Sequence, residues 1–345
     1  MIQIQYEKPL ERLTTFQLQS TAEAYAEPAT VEELAEAFAF AREKDLDVHV
    51  LGGGANVVAM QRVPGLVVRP NFTGIRRETD AAGFPLVVAG AAEPLDAVVR
   101  RAAEWGLGGL ENLAAIPGSV GGAVVQNAGA YGVELAERFL WCRAWDPATR
   151  EVHSLTLEDC DFGYRTSAFK RGAGRRWVIL EAAFRLPKTW TPVITYKDLA
   201  AKFEGREAGT ITPAEVEAAV RAARAAKLPD PVEIGNAGSF FKNPVVTKLK
   251  ARELTTLNPT LVVYPLAGGR AKLAAGWLID AAGFRGHQVG RVGVSPNHAL
   301  VLVNHGGATG EDVLALAREI ALKVERRFGV ELEPEPVFMG GAWSL

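Results

Sequence analysis

Two glycine-rich stretches carry the strongest chemical signal in the chain. Gly52-Gly53-Gly54-Ala55-Asn56 follows the short apolar run Val48-His-Val-Leu51, with Val57 next. The second stretch runs from Ile116, Pro117, Gly118 and Ser119 through Gly121 and Gly122 to Gln126, Asn127, Gly129, Ala130 and Tyr131. Glycines let a backbone approach a flat or anionic ligand closely, and consecutive N–H groups can form an anion nest. Gln126 and Asn127, set among apolar residues, need hydrogen-bond partners, which a bound cofactor can supply. Two standard templates fail. The dinucleotide fingerprint G-x-G-x-x-G needs glycine where Val57 stands and a helix where a strand follows. The P-loop needs Gly-Lys-Ser/Thr, which is missing. An ordinary glycine turn and a tightly packed glycine core remain the alternatives for these residues alone.

Other residues could do acid, base or anion chemistry. Ser239 sits between Gly238 and Phe240-Phe241. A serine hydroxyl is a weak acid that can protonate a carbanion-like centre when held in place; in a glycine turn it more often caps the local backbone. Arg165 offers a planar fork suited to a carboxylate, or is a surface arginine. Glu333 and Glu335 are two residues apart, on one face of any extended strand. Arg224 and Lys227 could converge on a diphosphate, or form a solvated helix face. Five histidines and two cysteines show no ligand spacing, so no metal is expected.

The elements that must position these residues can be read from caps and periodicity. Thr30-Val-Glu-Glu33 is a capping box, and a helix is expected over about 31–44. Short strands are expected at 48–51, 57–58, 66–68 and 86–89, and a helix from Pro94 to about 104. Strands follow at 139–145, 151–156 and 177–186. Thr212-Pro-Ala-Glu215 opens a helix to about Lys227, stopped by Leu228-Pro-Asp-Pro231. Helices are expected near 247–257, 272–282 and 310–328, with a strand at 299–303. Val330 to Phe338 reads as an edge strand because of its prolines. Helices and strands interleave without a βαβα rhythm, which favours an α+β fold.

Composition sets the outer limits. A chain of 345 residues suggests two or three domains. With 38 basic against 40 acidic residues, nothing favours a nucleic-acid partner. Two cysteines make no disulfide framework and fit a reducing compartment. No basic segment precedes an apolar one at the N-terminus, so no signal peptide is expected. The longest uncharged run, Asn112 to Val133, contains Pro117, Gln126, Asn127 and five glycines, which makes a poor membrane helix. Of the 35 glycines, three lie at 52–54 and eight between 106 and 132, so the excess is concentrated in the two stretches above.

Read in order, the motifs resemble the UDP-N-acetylenolpyruvoylglucosamine reductase (UDP-N-acetylmuramate dehydrogenase) family over roughly Tyr6 to Met339. They are Leu51-Gly-Gly-Gly-Ala-Asn56, Gly109-Leu-Glu-Asn112, Ile116-Pro-Gly118, Gln126-Asn-Ala-Gly-Ala-Tyr-Gly132, Phe162-Gly-Tyr-Arg165, Lys227-Leu-Pro-Asp-Pro231, Gly235-Asn-Ala-Gly-Ser-Phe-Phe-Lys-Asn-Pro244, Ala274-Ala-Gly-Trp-Leu-Ile-Asp280 and Leu332-Glu-Pro-Glu335. Thr195-Tyr-Lys-Asp-Leu199 resembles the segment bearing a substrate-capping tyrosine in the longer class of that family.

The resemblance implies an FAD-binding domain of the vanillyl-alcohol-oxidase (PCMH) type at 1–190, in two subdomains of about 1–70 and 71–190. It implies a connecting segment and helix at 191–228, a smaller α+β substrate domain at 229–328, and a C-terminal strand at 329–345 returning to the FAD domain. It implies non-covalent FAD held by the two glycine stretches and Gly238, with NADPH as hydride donor. The implied reaction reduces the enolpyruvyl group of UDP-N-acetylglucosamine enolpyruvate to give UDP-N-acetylmuramate. Ser239 would supply the proton, while Arg165 and Glu335 would stabilise the enediolate-like intermediate. Tyr196, Arg224, Lys227, Asn243, Tyr264 and Lys272 match positions near the uridine diphosphate. Before Ala299, where the family often has glutamine, this chain has Asn297-His298, and His298 would substitute as a donor. The family's place is peptidoglycan precursor synthesis, hence cell-wall biogenesis, cell shape and cell division. A cytoplasmic monomer or weak dimer, not inserted in membranes, is expected.

Overall fold

Contacts in the computed structural model, which describes residues 1–345, divide the chain into two units. The first comprises Met1–Lys8, Ala22–Gly54 and Pro64–Ala226; the second comprises Pro9–Thr21, Ala55–Val63 and Lys227–Leu345.

In the first unit, Thr30 accepts a hydrogen bond from the Glu33 N–H and starts the helix Val31–Glu43. That helix buries Leu34, Ala37 and Ala41 with Leu66 and Val68. Its sheet has the strand order Gln5–Pro9, Thr21–Ala26, Arg62–Val68, Val48–Val50, with the last pair parallel. A second sheet is antiparallel throughout, in the order Glu151–Thr156, Phe139–Asp146, Val178–Arg185, Pro85–Gly90, Ile75–Thr79. The helices Leu95–Glu104, Val120–Gln126 and Pro213–Ala225 share a core with it that includes Val98, Val99, Val124, Val216 and Val220. Cys142 and Cys160 lie in this core as buried free thiols, with Sγ atoms 3.9 Å apart.

The second unit has a four-stranded antiparallel sheet, in the order Gly235–Ser239, Val301–Asn304, Val292–Val294, Gln288–Val289. A three-stranded sheet joins Val245–Thr247, Arg270–Leu273 and Val263–Pro265. The helix expected near 310–328 occupies Gly310–Phe328; it opens with a Thr309/Asp312 capping box and ends at Gly329 in the left-handed region. It buries Val313, Leu316, Ile320 and Val324 among Leu278, Ile279, Phe240 and Leu302.

Several expectations need correction. The units do not follow the linear division of the chain. Phe16, Leu18, Val58 and Met60, from segments far from the C-terminus in sequence, fill the core of the second unit. Residues 191–226 fall in the first unit, and the helices Lys197–Lys202 and Pro213–Ala225 lie within them. The uncharged glycine stretch contains the helix Val120–Gln126. Residues 272–282 divide into the end of the strand Arg270–Leu273 and the helix Ala275–Ala281. The strand expected at 299–303 occupies Val301–Asn304. Of 330–338, only Val337 and Phe338 count as strand, in Val337–Met339, which pairs in parallel with Val57–Ala59. Pro334 and Pro336 lack the N–H that a ladder needs. No helix is long and apolar enough to cross a membrane.

Candidate active site

The first unit brings the two glycine stretches against each other. A Cβ on Gly53 would lie 2.5 Å from the Ser119 nitrogen and 2.7 Å from the Gly118 Cα, so backbone is pressed on backbone. Ser119 caps the helix Val120–Gln126, its Oγ accepting from the N–H groups of Gly122 (3.4 Å) and Gly53 (3.0 Å). Gly122 itself is exposed, and a Cβ there would meet nothing closer than Ser119 Oγ at 3.5 Å. The result is a side-chain-free shelf against which the flat or anionic part of a cofactor can lie, so these residues fit FAD. Ile116 is half-buried and Pro117 is exposed ahead of the shelf.

The amides expected to seek a cofactor find protein partners instead. Asn127 Nδ2 donates to Glu134 Oε2 (2.9 Å) and the Gly163 carbonyl (3.0 Å), while its Oδ1 accepts from the Ala136 N–H (3.0 Å). Lys170 Nζ donates to Gln126 Oε1 (2.5 Å). These side chains shape the loop. Gly129–Ala130 pairs with Val133–Glu134, placing Tyr131 (φ 48°) at the tip.

Arg165 joins this loop through an unusual backbone. Gly163 and Thr166 exchange backbone hydrogen bonds of 3.0 and 3.2 Å around Tyr164-Arg165, and Arg165 has φ 55°. Its guanidinium donates to the carbonyls of Gly129 (2.7 Å) and Asn127 (3.3 Å). Tyr196 is half-exposed, with its ring centroid 5.4 Å from that of Tyr131. Arg224 turns inward and donates to the Ala115 carbonyl (3.3 Å). Burial lowers its pKa, against the raising influence of Tyr131 and Asp96.

In the second unit the site is built on a bulge. Asn236 pairs with Val303 and Ser239 with Val301, so the strand Gly235–Ser239 carries one residue too many for its partner. Gly238, at φ 68°, takes the left-handed conformation this requires. Asn236 fixes the turn: its Oδ1 accepts from the Gly238 N–H (3.0 Å), and its Nδ2 donates to the carbonyls of Ile234 (2.9 Å) and Pro229 (3.2 Å). Bulges re-aim the side chain beside them, here Ser239. Glu335 is brought to the same place. Its N–H donates to the Phe240 carbonyl (2.8 Å), and its own carbonyl accepts from Asn56 Nδ2 (3.2 Å). Glu333 is 71% exposed and ion-pairs with Lys242 at 2.5 Å, which separates the two glutamates that the sequence leaves open.

The remaining second-unit residues scatter more. Ala55, Asn56 and Val57 part from Gly52–Gly54 at the unit boundary, and the Asn56 carbonyl accepts from the Val337 N–H (2.9 Å). Asn243 Oδ1 accepts from the Ala275 N–H (2.9 Å) at the start of the helix Ala275–Ala281, a structural duty. Tyr264 and Lys272 are register partners, with the Lys272 Nζ 5.7 Å from the ring centroid. His298 Nδ1 accepts from the Leu300 N–H (3.3 Å), which leaves the proton on Nε2. Burial, then the charges of Arg285 and Lys227, hold its pKa below the ordinary value, favouring the neutral ring. Lys227 is exposed.

Sequence reasoning missed one anchor of the second glycine stretch. Asp96 accepts from the Ala115 N–H (2.6 Å) and from both Arg221 terminal nitrogens (2.9 and 2.8 Å). Ala115 has φ 57° and immediately precedes Ile116-Pro-Gly118. Burial alone would raise the Asp96 pKa; the hydrogen bonds from Arg221 and Ala115 outweigh it and lower the value. The partners are 125 residues apart in sequence, which leaves no local signal.

One α+β unit carrying a glycine shelf and a second α+β unit are what a two-domain flavoprotein needs, and comparison with known families gives that class. Residues 22–155 match an FAD-binding domain, and residues 230–339 match the C-terminal domain of UDP-N-acetylenolpyruvoylglucosamine reductase. Among curated relatives, the UDP-N-acetylenolpyruvoylglucosamine reductase of Ralstonia nicotianae is 46% identical, covering 95% of this chain and 97% of its own length. That of Pseudomonas aeruginosa is 45% identical, covering 97% and 98%. Among solved structures, the same reductase from Thermus caldophilus matches with a TM-score of 0.67 and 26% identity, covering 98% of both chains. The chain belongs to the UDP-N-acetylenolpyruvoylglucosamine reductase family.

Proposed function

We propose that the chain is an NADPH-dependent flavoenzyme that reduces UDP-N-acetylglucosamine enolpyruvate to UDP-N-acetylmuramate, a step in peptidoglycan precursor synthesis. The observation that carries the chemical assignment is the Gly238 bulge, which places Ser239 where the Glu335 backbone is stitched to Phe240. Bound FAD would supply the hydride, drawn from NADPH. The protein's task is then to hold the enolpyruvyl carboxylate, to deliver a proton to its α-carbon and to keep water away.

Ser239 would give the proton. A hydroxyl is a weak acid, but the centre it meets is a strongly basic, carbanion-like carbon. Arg165 would engage the carboxylate as charge spreads onto it; a guanidinium matches that geometry with two donors. Glu335 would act beside Ser239 on the same developing charge. Arg224, Lys227 and Lys272 would receive the diphosphate, with Tyr196, Tyr264 and Asn243 around the nucleotide. Neutral His298 would donate through Nε2–H. The first unit would carry the flavin and the second most of the sugar-nucleotide contacts. Two unpaired thiols fit a reducing cytoplasm, where a monomer or weak dimer is the working form.

The test is direct. The purified protein should show a flavin absorbance spectrum, oxidise NADPH beyond one equivalent per flavin only when the enolpyruvyl nucleotide is present, and form a product two mass units heavier. A protein that takes up no FAD, or that oxidises NADPH equally without the nucleotide, contradicts the assignment.

A further inference from the structure

The segment between Leu186 and Tyr196 has no regular secondary structure, yet it delivers Tyr196 to a defined place against Tyr131. Irregular chain of this length needs anchors from elsewhere. They come from two consecutive buried polar residues in the short turn Glu111–Leu113. Glu111 is 2% exposed; its Oε1 accepts from Trp190 Nε1 (2.8 Å) and its Oε2 from the Gly109 N–H (2.5 Å). Asn112 is fully buried, and its Nδ2 donates to both the Val193 and the Tyr131 carbonyls (2.8 Å each). One side-chain amide thus ties the backbone of the tyrosine-tipped hairpin to the segment that ends in Tyr196. The Trp190 indole lies so close to Gly108 that a Cβ there would come within 2.3 Å of it.

The Asn112 amide is held at a cost. Its Oδ1 is buried with no donor from the protein. A leucine would avoid that penalty, so the residue's value lies in what Nδ2 holds. Burying a glutamate to orient one indole N–H follows the same pattern.

We propose that Glu111, Asn112 and Trp190 are positioning residues that set Tyr196 for the sugar nucleotide and act on substrate recognition through that tyrosine. The inference rests on the proposed role of Tyr196 as a substrate contact. None of the three residues need touch the substrate. They fix the two ends of a strap: Trp190 and Val193 on one side, the Tyr131 backbone on the other.

The experiment is a double-mutant cycle on the FAD-loaded enzyme. Trp190→Phe keeps an aromatic ring but loses the N–H donor together with the five-membered ring that carries it, so Glu111→Gln, which keeps the side-chain volume, is the control for the hydrogen bond itself. The expected effect of Trp190→Phe is a roughly three- to tenfold rise in KM for the enolpyruvyl nucleotide, the consequence of one lost hydrogen bond. The kcat and the rate of flavin reduction by NADPH should stay within about twofold, and calorimetric affinity for UDP alone should fall by the same factor as the KM rises. In a Tyr196→Ala background, Trp190→Phe should change neither quantity further, because the route of its action is gone. Glu111→Gln, which replaces one of the two accepting oxygens, should show the same dependence on Tyr196. Equal effects with and without Tyr196, or an equal slowing of the NADPH half-reaction, overturn the proposal. A wild-type enzyme whose reduced flavin is not reoxidised by the enolpyruvyl nucleotide overturns the reaction itself, a result seen before any variant is compared.

Discussion

The glycine shelf of the first unit and the Ser239 bulge of the second are built from the same residue types and work in opposite ways. In the shelf the serine is the holder: Ser119 Oγ accepts from two backbone N–H groups and pins both loops. In the bulge the holder is Asn236, and Ser239 follows the left-handed Gly238. The asparagines contrast as well. Asn127 uses its whole amide to shape its own loop, whereas Asn236 uses its amide to aim a neighbour. A serine in a glycine turn is therefore read by asking which residue satisfies the local backbone. Where the serine does so itself, it is structural. Where another residue does so, the serine is available to chemistry.

This contrast can be broken at each region. The largest effect is expected at the shelf. Gly53→Val places a Cβ within 2.5 Å of backbone that cannot yield as a flexible side chain would. Flavin affinity should fall by about 100-fold or more, equivalent to roughly 3 kcal/mol. Titration of the apoprotein with FAD measures it, and wild-type affinity would show that the two loops are not locked together.

A smaller loss is expected at the anchor behind the shelf. Asp96→Asn weakens the charged hydrogen bonds to Arg221 and should cost about 1.5–3 kcal/mol of stability near neutral pH. The pH dependence has a definite sign. The folded pKa of Asp96 is lowered, so below its ordinary value the unfolded state binds more protons than the native state. Its contribution is complete above about pH 4–5 and is lost as pH falls through the folded value. The gap between wild type and Asp96→Asn in urea unfolding should therefore narrow as the pH falls below about 5. A constant gap would place the stabilisation elsewhere.

The smallest effect sharpens the bulge. Glu333→Gln breaks an exposed ion pair with Lys242 and should change stability by no more than about 1 kcal/mol, with turnover unchanged. Turnover that falls as steeply as in Glu335→Gln would mean the two glutamates are not distinguished by their settings.

Local order was legible in the sequence. The capping boxes at Thr30 and Thr212 start their helices where expected, and the helix expected near 310–328 is observed at Gly310–Phe328, where Thr309, Asp312 and Gly329 each act within one turn. The glycine stretches announced close backbone approach, though not that they approach each other. What was hidden is long-range. Nothing near Phe16 or Val58 says that they complete a core with helices some 250 residues later. Asp96 looks like an ordinary acid in the first turn of a helix, and its partnership with Arg221 appears only in the fold. The strand Arg270–Leu273 has no β-branched residue to mark it. At the bulge, the sequence supplied the motif through family resemblance, and the structure supplies the reason for its order: Asn236 must precede Gly238 by two residues to accept its N–H.

The central claim is that Ser239 is the proton donor to the enolpyruvyl carbon. Rapid mixing of the FAD-loaded Ser239→Ala variant separates the two halves of the reaction. NADPH should bleach the flavin at the wild-type rate, and reoxidation by the enolpyruvyl nucleotide should slow by about 10²–10⁴-fold, the range for loss of a general acid. Reoxidation at the wild-type rate, or an equal slowing of both halves, would contradict that role.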